Sequence, residues 1–425
     1  MQIAIFCQQL EFMGGIERVV LEQLRIFKAH GADVILLIDR QIDLMKDRVN
    51  VPVYVLKCLE EGRKEQLETI LKAEKPDLLI FHGVGHQGTA SDIAVANSCG
   101  VANVCVIHFP FNSNVALDGS GNSWKAFREG GRDCTAYATV SAIDAMWWRG
   151  LGCRAFHVQN PFVHPQMNAE PSRRSREAGT TNLLWVGRQA EPKQPKPALA
   201  AFARAYSACP ELRLTMVGGS DKGWRALRKE AKRLGCASAV RFLSERPDLN
   251  EEWMRADIHL LTSVCESFCL VWAEAKAAGI PTVMFEMPYL ELAEDPRGYV
   301  AVEQRNIEAL SDAIVSLAKD RERRLELGRE ARESLARFND EAVWSSWMRL
   351  VDGLKTGCGR EVLPEVRHIA SQMYFAYSYR KEKHQWEEDM EHDFNLLTHC
   401  SLRPFAKLLA KLVGGIRAIK RKIRG

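Results

Sequence analysis

The sequence lacks the marks of disulfide-bonded, zinc-binding, secreted and membrane-spanning proteins. Its twelve cysteines form no Cys-x-x-Cys pair, and several lie inside apolar runs, as buried thiols do in a reducing compartment. No apolar run reaches the roughly 20 residues needed to cross a bilayer. The first apolar run, Ile3 to Cys7, is too short for a signal peptide, and no basic segment precedes it. We therefore expect a cytoplasmic protein.

Acidic residues are missing from the C-terminal segment. Residues 401–425 carry eight Lys or Arg and no Asp or Glu, whereas the whole chain has a net charge of only +4. The preceding residues are therefore slightly acidic, and the sequence predicts no binding to nucleic acid. A chain of 425 residues, 46% hydrophobic and 26% charged, is typical of a soluble protein too long for one core. Two domains and an appendage are predicted.

The first half alternates between short apolar runs and amphipathic segments, which predicts β-α-β units around a parallel sheet. Ile3 to Cys7 and Val34 to Ile38 are predicted strands on either side of a helix, and Gly14 and Gly15 lie in the loop that opens this helix. The Gly-x-Gly-x-x-Gly pattern of dinucleotide-binding folds is absent, which makes an NAD site a weak interpretation. The two glycines either form an ordinary turn or let a ligand approach the backbone.

Two histidines follow predicted strands of this first half. His82 comes after the apolar run that ends at Phe81, and His108 follows the run that ends at Ile107. Ligands of open α/β sheets bind at the carboxyl ends of the strands. Each histidine is therefore a candidate for ligand binding or an ordinary structural residue, and His108 is the better candidate.

A second alternating series begins after a polar stretch. Residues 164–181 show no periodicity and are predicted to link two domains. Arg188 and Lys193 follow the next predicted strand, and Gly218 ends the one after it. Two cations on a strand-to-helix loop either clamp a diphosphate or are ordinary surface charges. Their position before a proline-bounded helix favours the clamp.

Two glutamates flank the helix predicted between the strands Ile258 to Leu261 and Thr282 to Phe285. Glu266 lies in the loop before this helix, and Glu274 lies one to two turns into it. A helix N-terminus attracts phosphate, and carboxylates accept hydrogen bonds from sugar hydroxyls. The pattern indicates a ligand with both groups, although two arbitrary glutamates are more often surface residues.

These motifs together resemble glycosyltransferase family 4, whose members have the GT-B fold of two Rossmann-like domains. The resemblance covers roughly Ile3 to Trp347 and is most specific from Leu184 to Val283. The family's Glu-x7-Glu signature matches Glu266 and Glu274. Its other elements match Val186-Gly187-Arg188 with Lys193, Gly14-Gly15-Ile16-Glu17, and the run Ala277 to Val283.

The resemblance implies a nucleotide-sugar donor, linked to UDP or GDP, in the cleft between the domains. Arg188 and Lys193 would neutralise its diphosphate, Glu274 would hold the ribose and Glu266 would hold the transferred sugar. His108 matches the family's first-domain histidine near that sugar. Further donor contacts are expected at Gly14, Gly15, Gly218, Ser267, Phe268, Cys269 and Leu270.

The resemblance also implies transfer with retention of configuration. No metal and no other cofactor is expected, because fixed cations and helix N-termini can stabilise the leaving diphosphate and the chain has no Asp-x-Asp pair. Three positions depart from the family pattern: Gln194 and Ser244 replace a usual glycine, and Cys269 replaces a usual glycine or proline.

The predicted domains are residues 1–165 for the acceptor side and 182–338 for the donor side, with a linker over 166–181. Residues 339–356 are predicted to form a helix that returns to the first domain, and 357–425 a helical extension. In the extension, apolar residues from Leu402 to Ile423 share one helical face. This apolar face, together with cations that no acid interrupts, predicts a helix lying on an anionic membrane surface. Gly414 and Gly415 lower the helix propensity of the segment.

The sequence therefore predicts an α/β enzyme that transfers a hexose from a nucleotide-sugar to a lipid-linked or cell-surface polysaccharide acceptor. It would be a peripheral protein on the cytoplasmic face of the membrane. A sugar-nucleotide epimerase on the same scaffold is an alternative, but it would have little use for the basic tail. A non-catalytic sugar-binding module is another, although it would not need the clustered cations.

Overall fold

A computed structural model of the chain describes residues 1–10, 14–40, 49–57, 62–83, 89–110, 131–164, 179–246 and 248–362. All of these belong to one compact unit, Met1–Ala370. The unit contains two parallel β-sheets, each flanked by helices.

The first sheet has seven strands, all parallel, in the order β3-β2-β1-β4-β5-β6-β7. Its central strand β1 (Gln2–Cys7) pairs on one side with β2 (Asp33–Ile38) and on the other with β4 (Leu78–His82). The remaining strands are β3 (Val53–Val55), β5 (Ala102–Ile107), β6 (Ala136–Thr139) and β7 (Ala155–His157). From Ile3 to Cys7 every residue of β1 is buried, since helices cover both faces of a parallel sheet.

Among the described residues, four helices connect these strands: α1 (Gly15–Ala29), α2 (Arg63–Glu74), α3 (Thr89–Ser98) and α4 (Ala142–Gly150). Helix α1 carries a buried apolar face that includes Val20, Leu24 and Phe27. This face packs on the sheet, so the N-terminus of α1 lies at the carboxyl end of β1.

The second sheet has six parallel strands in the order β10-β9-β8-β11-β12-β13. Its strands are β8 (Thr181–Val186), β9 (Leu212–Gly219), β10 (Val240–Ser244), β11 (Ile258–Leu261), β12 (Thr282–Phe285) and β13 (Tyr299–Val302). Its helices are α5 (Pro195–Ala208), α6 (Asp221–Arg233), α7 (Asn250–Arg255), α8 (Leu270–Ala277), α9 (Ile307–Lys319) and α10 (Arg321–Ser334). Each sheet repeats the doubly wound pattern that binds ligands at its carboxyl edge.

A further helix, α11 (Asp340–Thr356), packs against α1 of the first domain. The Trp347 ring meets the Phe27 ring edge to face with centroids 5.8 Å apart. Arg25 of α1 forms a bidentate ion pair with Asp340 at 2.7 and 2.9 Å. The chain thus returns to the first domain after completing the second.

The predicted architecture of two Rossmann-like α/β domains is confirmed. Two edge strands, β3 and β13, were not predicted. Each is an apolar run of only three or four residues, and each is partly exposed. Strand β8 begins at Thr181, which the sequence assigned to the linker. The rest of that linker up to residue 178 lies outside the described residues, as does the predicted extension beyond residue 362, including the basic tail.

In the described ranges, no helix is both long and apolar enough to span a lipid bilayer. The predicted attachment of the C-terminal tail to a membrane surface is untested.

Candidate functional site

The carboxyl edges of the two sheets meet, and the predicted site residues lie along this line of contact. The Ser267 hydroxyl, from the second domain, donates a hydrogen bond of 2.7 Å to the backbone carbonyl of His108, from the first. Arg18 of α1 reaches Glu274 of α8. These contacts join chain segments more than 150 residues apart, so the cleft is built by both domains.

Glu266 is held by three neighbours at the bottom of the loop before α8. Its Oε1 lies 2.5 Å from Lys193 Nζ and accepts a hydrogen bond of 2.6 Å from the Ser263 hydroxyl. Its backbone N–H donates to the Tyr289 hydroxyl at 3.0 Å. Only 12% of the Glu266 side chain is exposed. The carboxylate is therefore positioned through one oxygen, and its backbone is fixed independently.

Lys193 is charged although 78% of its side chain is covered. Burial lowers the pKa of its ammonium, but the Glu266 carboxylate raises it by more, and the net shift is upward. The Arg188 charge lowers the pKa of the Lys193 ammonium, so the two cations lie close enough to repel each other. Arg188 itself is exposed. The loop after β8 thus presents two adjacent positive charges, as a diphosphate site requires.

Glu274 is almost completely buried and forms an ion pair across the cleft. Its Oε1 lies 2.5 Å from Arg18 Nη1, and 3% of its side chain is exposed. Burial raises the pKa of Glu274 to about 7, whereas the Arg18 charge and a hydrogen bond from Trp253 oppose the rise. The carboxyl group is therefore poised between its two protonation states at neutral pH.

The start of α8 has an unusual backbone. Cys269, the residue before the helix, is in the left-handed conformation with φ of 70°, a region that glycine enters without strain. This explains why glycine fits the position in the family pattern. The Cys269 thiol is buried, and burial raises its pKa well above the usual range. It is a packed, protonated thiol and not a nucleophile.

The neighbouring Phe268 is a core residue and not an open contact surface. Its ring lies between those of Phe162 and Phe338, with centroids 6.4 and 5.7 Å away, and it is 2% exposed. Any donor contact at this position would have to come from its backbone. The side chain instead anchors the loop of Ser267 to the core shared by both domains.

Gly14 and Gly15 lie opposite the start of α8. A Cβ added at Gly15 would lie 3.4 Å from the Leu270 side chain, and one at Gly14 would lie 2.5 Å from a Glu17 carboxylate oxygen. Gly14 has an ordinary φ of −71°, and the Glu17 carboxylate is the movable end of a flexible side chain, so neither requires glycine there. Burial raises the pKa of Glu17, Glu245 raises it further and Arg188 lowers it. Glu17 thus faces charged groups of the second domain.

Only glycine fits at position 218, for a structural reason independent of any ligand. Its φ is +111°, and an added Cβ would lie 2.5 Å from the carbonyl oxygen of Gly187. The ends of β8 and β9 therefore approach each other so closely that no side chain fits. This packing supports the loop that carries Arg188, and direct contact of Gly218 with a donor stays a prediction.

His108 lies beside His82. The sequence predicted both at the carboxyl ends of strands, and the pairing of β4 with β5 brings them together. Nε2 of His108 is 2.9 Å from Nδ1 of His82. Burial lowers the pKa of both imidazoles, that of His108 to about 4. Both rings are therefore neutral at neutral pH.

Several functional contacts were not predicted from the sequence. Arg18 lies 256 positions from Glu274, and Tyr289 lies 23 positions from Glu266, beyond the next strand. Tyr289 belongs to the segment 286–291, for which the sequence indicated no role. In the same segment Glu291 Oε1 accepts a hydrogen bond of 2.8 Å from the first backbone N–H of α4, Ala142. This segment therefore ties the second domain to the first.

Within the part of the chain that the structure describes, no group of three or more His, Cys, Asp or Glu side chains is arranged to hold a metal ion. Metal-independent chemistry stays a prediction.

The fold is that of the GT-B class. TarM from S. aureus superposes with a TM-score of 0.70 at 12% identity, over 83% of this chain and 98% of that one. HepE from Anabaena, in complex with UDP and glucose, gives 0.66 at 16% identity, over 83% and 99%.

Sequence comparison places the strongest likeness in the second domain. Residues 169–334 match the family model described as glycosyl transferases group 1. The D-inositol 3-phosphate glycosyltransferase of Corynebacterium kroppenstedtii is 33% identical over 198 residues, 44% of this chain and 43% of that protein. An exopolysaccharide phosphotransferase of Streptomyces coelicolor is 31% identical over 181 residues, 42% of this chain and 19% of that protein. The chain thus matches less than half the length of these relatives.

Proposed function

We propose that the protein is a retaining, metal-independent glycosyltransferase of family 4. It transfers a hexose from a UDP- or GDP-linked donor to a lipid-linked or polysaccharide acceptor. The observation that carries this proposal is the position of the Lys193–Glu266 pair. The Glu266 of this pair lies in the loop before α8, where Ser267, the residue after Glu266, donates a hydrogen bond to the His108 carbonyl of the other domain.

The cations of the second domain suit a departing diphosphate. The Lys193 ammonium has three N–H donors, so one can stay on Glu266 while the others meet phosphate oxygens. Arg188, exposed beside it, adds a second fixed charge. The N–H groups at the start of α8 contribute the positive end of a helix dipole. Groups fixed in this way stabilise charge that develops in the transition state without reorganisation.

The two glutamates suit the hydroxyl groups of the donor. Glu266 is oriented through Oε1, which leaves its second oxygen for a hydroxyl of the transferred sugar. Glu274 is oriented by Arg18 and is assigned to the ribose. Each assignment follows from the family resemblance and is supported by the positions of the two carboxylates on either side of the α8 N-terminus.

The acceptor carries a hydroxyl group that attacks the donor sugar. Curated relatives are named D-inositol 3-phosphate glycosyltransferases, which favours inositol phosphate as a second candidate acceptor. The structural neighbour TarM was solved with α-GlcNAc-glycerol and UDP. A hydroxyl-bearing acceptor, either phosphorylated or attached to a glycan or lipid, is common to these candidates.

The test is to incubate the full chain in the presence of EDTA with UDP- and GDP-sugars. Lipid extract, polysaccharide or inositol phosphate is supplied as the acceptor. Transfer of sugar, with the product's anomeric configuration retained by NMR, is expected. Release of free nucleotide with an inverted product would refute the retaining mechanism. Inactivity restored by a divalent cation would refute metal independence.

The same assay separates the alternatives. An epimerase would convert the sugar while it stays attached to the nucleotide, with no acceptor needed. A sugar-binding module would bind donor or glycan without releasing nucleotide. Either result would overturn the transferase proposal.

We also propose that residues 401–425 hold the protein on an anionic membrane surface. Eight cations without an acid contribute on the order of 1 kcal/mol each near such a surface. Deleting these residues is expected to abolish sedimentation with vesicles that contain phosphatidylglycerol. Undiminished binding of the shortened protein would refute the assignment.

A further inference from the structure

Three side chains from separate elements, Gln23, His82 and His108, are linked in series by hydrogen bonds. Gln23 comes from α1, His82 ends β4, and His108 follows β5. Gln23 Oε1 lies 2.7 Å from His82 Nε2, and His82 Nδ1 lies 2.9 Å from His108 Nε2. Gln23 and His82 are each 1% exposed. Both therefore act only on each other and on groups inside the protein.

The chemistry of the series fixes where each proton lies. The Gln23 oxygen can only accept, so Nε2 of His82 must carry the hydrogen. A neutral imidazole then has a lone pair at Nδ1, which accepts a hydrogen bond from Nε2–H of His108. His108 is in turn left with its lone pair at Nδ1. Both rings are neutral because burial lowers the pKa of each.

His108 is also a first-domain residue that contacts the loop of Glu266. Its carbonyl accepts the hydrogen bond from the Ser267 hydroxyl, and Ser267 follows Glu266 directly. The ring whose tautomer the series sets thus belongs to a residue at the sugar end of the cleft. A lone pair there accepts a hydrogen bond from a hydroxyl group, whereas an N–H at that atom would donate one instead.

We propose that Gln23 and His82 are positioning residues that hold His108 as its Nε2–H tautomer, so that Nδ1 accepts a hydrogen bond from a hydroxyl of the transferred sugar. The proposal rests on the proposed function for the identity of the ligand. The direction of the hydrogen bonds rests on the Gln23 oxygen, and not its amide nitrogen, facing His82. The series makes the first domain selective for a sugar with a free hydroxyl facing His108 Nδ1. A donor that lacks this hydroxyl loses the hydrogen bond.

The tautomers are measurable without any enzyme assay. In the full chain with 15N-labelled histidine at pH 7, long-range 1H–15N spectra are expected to show His82 and His108 each protonated at Nε2 and not at Nδ1. The His82→Asn and His108→Asn variants assign the two signals. A proton on Nδ1 of either ring, which Gln23 would impose by donating through its amide, would overturn the proposal.

Kinetics then separate positioning from mere packing. Gln23→Leu removes the acceptor, whereas Gln23→Glu keeps one. We expect Q23L to lower kcat by about tenfold or more, as for one hydrogen bond lost from the transition state. The dissociation constant for the nucleotide should stay unchanged, and Q23E should retain most of the activity. Gln66→Leu, which removes another amide, bonded to the backbone of Lys57 and Val55 beside the edge strand β3, is the matched control with unchanged kcat.

A positioning role would be contradicted if kcat fell equally in Q23L and Q23E, or if kcat stayed unchanged in both. Should the wild-type chain transfer no sugar at all, the proposed function fails, and the spectra still decide the direction of the series.

Discussion

Arg18 Nη1 lies 2.5 Å from Glu274 Oε1, and this ion pair bridges the two domains across 256 positions of sequence. It connects the first helix of one domain to the glutamate assigned to the ribose in the other. The pair counteracts the effect of burial on Glu274, whose pKa is about 7. Arg18 therefore controls how much of this carboxyl is ionised at neutral pH.

Replacing Arg18 should weaken donor binding more than it weakens the fold. In Arg18→Met the buried carboxyl loses its counter-charge and takes up a proton, which costs little at pH 7 because its pKa is already near that pH. We expect a loss of about 1 kcal/mol in stability and a KM for the donor raised about tenfold. Arg25→Met removes an exposed ion pair from the same helix and should leave KM unchanged. Similar KM values in both variants would contradict the assignment.

Donor affinity should depend on pH through Glu274. Only the ionised carboxylate accepts hydrogen bonds from two ribose hydroxyls, and this form is lost as the pH falls through about 7. The KM for the donor is therefore expected to rise by about tenfold per pH unit below that value and to be flat above pH 8. Glu274→Gln should remove the pH dependence, as measured by initial rates between pH 5.5 and 8.5. A pH profile unchanged in this variant would refute the role.

Much of the site was predictable because its residues lie close together in the sequence. Glu266 and Glu274 lie on one strand-loop-helix segment, and Arg188 and Lys193 lie on another, so apolar runs and spacing sufficed to place them. Because parallel strands end at a common edge, His82 and His108 could also be predicted as neighbours. The fold of two doubly wound domains follows from the same alternation.

The partners of these residues could not be predicted, because they depend on how the domains pack. Arg18, Tyr289 and Gln23 meet their partners only after the chain has folded over long distances, and no spacing signals such contacts. The structure gives the Phe268 ring and Gly218 packing roles, and the donor contacts expected at these two positions stay predictions. Motif matching identifies a position but does not separate its side chain from its backbone.

Removing the Glu266 carboxylate charge should affect turnover and not nucleotide binding. Glu266→Gln keeps the shape but takes the counter-charge from Lys193, which lies 2.5 Å away. We expect kcat to fall by about 100-fold, the size of the loss for one preorganised electrostatic group. The dissociation constant of UDP or GDP, measured by calorimetry, should change less than about threefold. The exposed Glu303→Gln serves as the control, and equal kcat in both variants would exclude a catalytic role.

Gly218 and Gly235 form a matched pair for testing the close approach at the cleft. Both have positive φ, +111° and +74°, but an added Cβ meets the Gly187 carbonyl at 2.5 Å only in the first case. Gly235→Ala should cost about 1 kcal/mol from backbone strain alone. Gly218→Ala should cost about 2 kcal/mol more and also weaken nucleotide binding, because Gly187 precedes Arg188. Equal shifts in the urea midpoints of the two variants would contradict this packing.

Lys276 provides a test of buried charge away from the cleft. It is fully buried in α8, donates to the Ser334 hydroxyl at 2.8 Å, and lies 5.0 Å from the Trp272 ring centroid. Burial lowers the pKa of Lys276 to about 8 from an ordinary value of 10.5. Between these two pH values the unfolded chain binds more protons than the native one, so the native state gains stability as the pH rises.

The gain should amount to on the order of 3 kcal/mol across that window. It is measured as the difference in unfolding free energy between the wild type and Lys276→Met at successive pH values from 7 to 10. Groups that titrate in both proteins cancel in this difference. Lys319→Met, at an exposed helix end, should show a difference that is flat with pH. A flat difference for Lys276 as well would mean that its ammonium keeps an ordinary pKa despite its burial.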